Sequence, residues 1–516
     1  MAAEHPETTY RFAPHPSAGF ILGLRVAQLA GLVVAGALAL ASLRAGGFGA
    51  LALAFAIASV VASVVIVPVR GQTLDQWGPI VVRFLLGRGR ARFRTQATLV
   101  GHVVRLPGGE LDPQPVQPPH DRPSELADIE LLECELSAYE RALLGVAKDR
   151  RAGTYTAAVR VQCRAFELLS PDERQQRLEE YGGVLAALAR DDSPLRRVSW
   201  VERALPGDPD ALGGYLLEAK RKSASFDDPP FELVSYLRLI GRAGHVAEEH
   251  ELLFALQIDA RRPAARRPVA RLGGGDLGAM AVLAGEAGRL IELLDGAGIT
   301  PTGVLTRCGL AAAIRDGYDP WGHRQRHRDQ DADAEYGVAA HSASPAARDE
   351  HWSHLRADGA LHCTLWVAEW PRIDVRAVFM QPLLMRADTT RTVAVCMELV
   401  GPARAIRKAE RAMTEAATED SLRGRIGQRT SQRQRQREHA AARQEAELAQ
   451  GHANVRYSAF VTVSVPDTGP DARDELEVAV SRVDLQAKAA PLRLERMWGQ
   501  QAVAFTFGLP LCRGLR

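Results

Sequence analysis

Ile21-Leu-Gly-Leu-Arg-Val-Ala-Gln-Leu-Ala-Gly-Leu-Val-Val-Ala-Gly-Ala-Leu-Ala-Leu-Ala-Ser-Leu43 and, after Arg44-Ala-Gly-Gly-Phe48, Gly49-Ala-Leu-Ala-Leu-Ala-Phe-Ala-Ile-Ala-Ser-Val-Val-Ala-Ser-Val-Val-Ile-Val67 are two nearly uncharged runs separated by a short Gly-rich turn. As helices they span roughly 34 Å and 28 Å, against a bilayer hydrocarbon core of about 30 Å. The pattern predicts a two-helix transmembrane hairpin over residues 1–70. A cleaved leader has a shorter apolar region and is not followed at once by a second one. Arg70, Arg83, Arg88, Arg90, Arg92 and Arg94 crowd the segment beyond the hairpin, while the turn holds Arg44 alone. The positive-inside bias therefore predicts a multi-pass inner (cytoplasmic) membrane protein with both termini in the cytoplasm.

Outward from the hairpin, residues 71–100 read as an amphipathic helix and a basic segment. Leu74, Trp77, Val81, Phe84 and Leu85 fall on one helical face, suited either to anionic membrane lipid or to the soluble part of the chain. Residues 101–128 are rich in proline and read as an extended tether. The remainder predicts an α+β cytoplasmic region in two lobes, 129–320 and 351–516, joined by a polar loop at 321–350. A helical hairpin over 402–452 projects from the second lobe, and the helices lie mainly on one face of the sheet.

Within the first lobe, Thr154 to Leu169 has strand composition, and Ser170-Pro-Asp-Glu173 is a helix start with the elements of a capping box. Strands follow near Val198 and Trp200 and over 250–260. A helix is predicted over 231–242, another from Asp276 to the glycines Gly296 and Gly298, and a short one over 310–316. In the second lobe the strands are 361–370, 391–400 and 455–465. They are followed by a helix over 471–488 and a last strand pair up to Leu509.

The net charge of +2 exerts no strong pull on nucleic acid, and the strong preference for Arg over Lys reads as coding bias. Six scattered cysteines without paired spacing indicate neither disulfides nor zinc. There is no G-x-x-x-x-G-K-[ST] sequence, and none of the five lysines follows a glycine, which excludes a phosphate loop of that type. Gly273-Gly-Gly275 ahead of a helix could face an anion, but a loop before Asp276 accounts for it equally well. His323 and His327 have helical spacing without a companion glutamate, and Pro320 stands against a helix there. His351, His354 and His362 beside Cys363 raise the idea of a thiol nucleophile with a base, but Cys363 sits in an apolar strand pattern. The sequence thus predicts no catalytic, cofactor-binding or metal-binding residues and no enzyme. The arginines of 402–452 are interleaved with glutamates and lack aromatic neighbours, so direct nucleic acid contact is not expected.

Several stretches carry a resemblance. They are Thr9-Tyr-Arg-Phe12, Gly71-Gln-Thr-Leu-Asp-Gln-Trp77, Gly153-Thr-Tyr-Thr156, Trp200-Val-Glu-Arg203, Trp366-Val-Ala-Glu-Trp-Pro371, Gly499-Gln-Gln501 and Leu509-Pro-Leu-Cys-Arg-Gly-Leu-Arg516. Together they resemble a family of actinobacterial integral membrane proteins encoded on conjugative elements. In that family a two-helix PrgI-like inner-membrane subunit is joined to a region like the N-terminal domain of the type IV secretion ATPase. The resemblance implies a scaffold of a conjugation or type IV-like secretion apparatus, an oligomeric machine in which the chain docks a separate ATPase subunit at the inner membrane. An EccE-like component of type VII secretion and a DNA-contacting conjugation accessory protein are the neighbouring readings. None of the matching stretches is a catalytic motif.

Overall fold

The computed structural model describes residues 36–37, 56, 68–69, 72–87, 92–94, 122–136, 142–163, 166–206, 235, 248–323, 326, 337–386, 389–407 and 454–515. In chain order the strands are β1 (Pro68–Val69), β2 (Gln72–Thr73), β3 (Arg92–Arg94), β4 (Ile129–Leu136), β5 (Ala142–Asp149), β6 (Thr154–Cys163), β7 (Leu195–Pro206), β8 (Glu248–Asp259), β9 (Ile299–Val304), β10 (Ala347–Glu350), β11 (Leu355–Ala357), β12 (Ala360–Glu369), β13 (Arg391–Val400), β14 (Asn454–Pro466) and β15 (Arg493–Arg496). The helices are α1 (Leu74–Leu86), α2 (Pro171–Leu188), α3 (Pro263–Arg271), α4 (Gly275–Gly296), α5 (Arg307–Tyr318), α6 (Gln381–Leu384), α7 (Ala472–Ala489) and α8 (Gln501–Phe505).

Thirteen strands form one antiparallel sheet in the order β3-β10-β11-β12-β14-β13-β7-β8-β6-β5-β4, with β15 added to β12 and β9 to β6. Two halves of this sheet repeat one plan. The order β9-β6-β8-β7 recurs as β15-β12-β14-β13, each a split β-α-β arrangement preceded by a meander, β4-β5 in one half and β10-β11 in the other. The halves meet where β13 pairs with β7, from Arg391 opposite Ala204 to Glu398 opposite Arg197. The same strand of each repeat thus forms the seam, in the manner of an isologous interface within one chain.

Apolar residues of the seam strands point to both sides of the sheet. Val198, Val393 and Val395 belong to a core under α2, α4 and α7, whereas Val201, Ala394 and Cys396 belong to a second core under α5, α8 and residues 509–515. Glu125, ahead of β4 at one end of the sheet, forms a buried ion pair with Arg348 on β10 near the other end, at 2.8 Å.

Local chemistry explains several elements. Ser170 Oγ accepts from Glu173 N while the Glu173 carboxylate accepts from Ser170 N, closing the capping box at the start of α2. Gly145 N donates to Leu305 O at 2.7 Å, and a Cβ at Gly145 would strike the Thr306 backbone. Since backbone cannot yield as a side-chain end does, Gly145→Ala is expected to cost about 1–3 kcal/mol. A thermal melt that does not move would refute this packing.

The structure corrects several expectations. The α+β arrangement of a transmembrane hairpin and two lobes gives way to one large antiparallel sheet running through both regions. Among the described residues no helix is long and apolar enough to cross a membrane, which overturns the multi-pass inner-membrane location. The longest, α4, carries five charged residues, Asp276, Glu286, Arg289, Glu292 and Asp295, and its apolar residues pack on the sheet. The two apolar runs themselves lie outside the described residues except for Gly36, Ala37 and Ala56, as do 101–121 of the tether, the helix at 231–242 apart from Ser235, and 408–452 of the projecting hairpin.

Helices cover both faces and not mainly one, because the strands are apolar on both. The last strand pair is in fact β15 followed by α8 and a 3-10 turn over Thr506–Gly508. There Gln501 takes the place of a strand, its carbonyl accepting from Thr364 N at 2.8 Å and its amide donating to Thr364 O at 3.2 Å. Two aromatic residues of the predicted stripe of α1 pack on the second half: Trp77 stacks on Trp352 at 5.9 Å and Phe84 meets the same ring edge-on at 5.1 Å, while Leu85 is exposed.

Candidate functional site

The residues singled out in the sequence are held apart by strand geometry. His362 and Cys363 are neighbours on β12, so their side chains leave opposite faces of the sheet. Cys363 lies in the core beneath α7, where burial pushes its thiol up to about 12. His362 lies beneath α5, fully buried, its ring 4.8 Å from Phe505. Its Nε2 is 3.0 Å from Tyr318 O, which can only accept, so Nε2 carries the proton and Nδ1 accepts from Ser464 Oγ at 2.8 Å. Burial holds this imidazole down at about 4 despite the Tyr318 carbonyl. His354 is likewise pushed to about 4, by burial and then by His351, whose ring stacks on it at 4.5 Å. A thiolate and a base are therefore not brought together, and the trio does not form a nucleophilic centre.

Gly273, Gly274 and Gly275 all have positive φ, 101°, 67° and 54°, and turn the chain into α4. The first turn of that helix already holds the chain's own Asp276, which accepts from Lys148 Nζ at 2.5 Å and from Tyr155 Oη at 2.7 Å. Those two hydrogen bonds keep the Asp276 carboxyl below its ordinary range. Asp276 is thus committed to groups on β5 and β6, and among the described residues no side chain caps the start of α4.

His323 is not on a surface loop but buried, with Nδ1 2.9 Å from Asp316 and Nε2 3.8 Å from Glu249. Burial would lower its pKa, but these carboxylates raise it to about 9, making it a cation that ties the end of α5 to β8. Arg326 adds 2.7 Å and 2.8 Å bridges to Asp316 and Asp319. The suggested partner in spacing, His327, lies outside the described residues.

Sequence reasoning missed two buried guanidinium groups, Arg203 on the face of the second core and Arg391 on the face of the first. Arg203, on β7, is fully buried and meets Glu251 at 3.5 Å, and Glu251 also accepts from Arg160 at 3.0 Å. Arg391, on β13, donates to the carbonyls of Arg386, Thr389 and Leu384. Arg203 stands two residues after Val201 and so on the same, buried face of β7, and that alternation is the signal that could have found it.

Thr9 to Phe12 lies outside the described residues, and the described parts of the other stretches that carry the resemblance fall on this framework. Gly153 has φ 68°, Tyr155 bonds Asp276, and Thr156 Oγ1 accepts from Gln257. Trp370 packs edge-on against Tyr457 at 4.9 Å. Arg197 donates to the carbonyls of Cys512 and Leu515, and Arg513 donates to Asp149. Among the described residues no group of His, Cys, Asp and Glu could hold a metal ion. No family model matches the chain, and no curated protein matches it.

Proposed function

We propose that this chain is a scaffold component of a conjugation or type IV-like secretion apparatus, one that holds a separately encoded ATPase and does not itself hydrolyse nucleotide. The observation that supports this reading is where the resemblance residues sit. Among the described residues they include the turn glycines Gly153, Gly499 and Gly514, core strand positions and the clasp at 509–515, a distribution expected of a framework protein. The absence of a phosphate loop from the sequence agrees with a partner supplying nucleotide chemistry.

Affinity-tagged full-length protein is expected to co-purify with the ATPase of the same system and to show no ATP turnover alone. Failure to retain that ATPase, or hydrolysis by the purified chain, would overturn the reading.

A further inference from the structure

Among the described residues, one end of the great sheet lacks the covering strand that its counterpart has. By the repeat, β4 in the first half corresponds to β10 in the second. The outer edge of β10 is covered by the short strand Arg92-Phe-Arg94, with Ala347 opposite Arg94, Arg348 opposite Phe93 and Asp349 opposite Arg92, and an Arg92–Asp349 bridge at 3.2 Å. No strand among the described residues pairs with the outer edge of β4.

The hydrogen bonds at the start of β4 fix which of its backbone groups point outward. Asp128 O accepts from Arg150 N at 2.9 Å, toward β5, whereas Ile129 N donates outward to Leu126 O at 3.0 Å and Ile129 O accepts from Arg122. Alternation along the strand then turns the N–H and C=O of Leu131, Glu133 and Glu135 away from β5. The turn at 122–126 covers the edge only as far as Ile129. Beyond it the outward groups have no bonded partner among the described residues.

The side chains along this edge indicate what could pair there. Glu130, Glu133 and Glu135 make it acidic. Glu130 lies 3.8 Å from Lys148, Glu133 accepts from Arg307 N at 3.0 Å, and Glu135 is exposed. Two copies of such an edge would repel each other, whereas a basic strand of the kind that already covers β10 would be attracted.

We infer that the edge of β4 between Leu131 and Glu135 is a docking site for a basic, extended segment of a protein partner, which adds to the sheet as a further antiparallel or parallel strand. Main-chain hydrogen bonds supply the affinity and the glutamates select for Arg or Lys at alternating positions. This inference rests on the sheet alone and stands or falls separately from the scaffold reading.

The probe is a capped synthetic peptide with the sequence of residues 88–98, which contains the strand that the chain uses on β10, and a control in which its arginines are replaced by glutamate. In hydrogen exchange on the full-length protein, the amides of Leu131, Glu133 and Glu135 are expected to exchange freely without peptide. They should slow at least tenfold with the basic peptide, and the control should have no effect. Glu135→Pro removes one outward N–H without touching the β5 ladder and should weaken peptide binding at least tenfold while leaving the melting temperature within a few degrees. Glu135→Lys should weaken binding and flatten its salt dependence. The proposal is overturned if those three amides are already protected in the free protein, if the peptide protects other strands only, or if wild type and Glu135→Pro bind it equally.

Discussion

Acidification from pH 7 to 4.5 is expected to remove about 2.5 kcal/mol of stability through His362 alone. The folded protein holds this ring neutral, with Nδ1 as an acceptor from Ser464 and Nε2–H committed to Tyr318 O, and its pKa is about 4. The unfolded chain titrates near the ordinary value of about 6.5. Below that value the unfolded state takes up a proton that the folded state refuses, so stability is level above about pH 6.5 and falls toward pH 4. His354, also lowered to about 4, acts in the same direction.

His323 has the opposite sign. With its folded value raised to about 9, its contribution is complete below about pH 6.5 and is lost as the pH rises through 9. Stability should therefore peak near neutrality. Urea midpoints across this range provide the measurement. His362→Gln, which can donate to Tyr318 O and accept from Ser464 but cannot titrate, should make the acid limb shallower. An equally steep acid limb in that variant would show that another group controls it.

Glu125→Ala is expected to cost about 3–5 kcal/mol, the range for breaking one side of a buried pair. Both side chains are almost wholly buried, and Glu125 Oε2 lies 2.8 Å from Arg348, so removing the carboxylate strands a guanidinium away from water. Replacing both partners by apolar residues, Glu125→Leu with Arg348→Met, should recover most of the loss. Denaturant unfolding of the two variants separates the ideas: if the double variant is no better than Glu125→Ala, the cost is not that of an orphaned charge. Because this pair links the approach to β4 with β10, its loss should also loosen the two ends of the sheet together.

Much of the local structure was legible because it is written in short-range chemistry. The capping box at Ser170 and the strand over 391–400 depend on neighbours three or fewer residues away, or on simple alternation. The architecture was not, since a period of two marks a strand without naming its partner. The decisive seam joins Trp200 to Val395, nearly two hundred residues apart. Tail residues 509–515 gave no sign of being a clasp, because apolar residues near a chain end look alike whether they pair as a strand or cover a core. Glu125 fell within a segment read as tether, although it supplies a core ion pair. His323 was assigned to a surface loop because acidic neighbours usually signal solvent, whereas here they are the ligands of a buried cation. The idea of a Cys363–His362 pair failed on the simplest geometric ground, since adjacent residues of a strand look in opposite directions.

The clasp has a consequence for biosynthesis. Arg197 waits for the carbonyls of Cys512 and Leu515, which follow it by 315 and 318 positions. At typical elongation rates the ribosome needs roughly 15 to 60 s to make the intervening polypeptide. During that interval Val201, Leu253 and Ala255 lack part of their cover, so the nascent first half is a natural client for a chaperone until translation has supplied the missing lid.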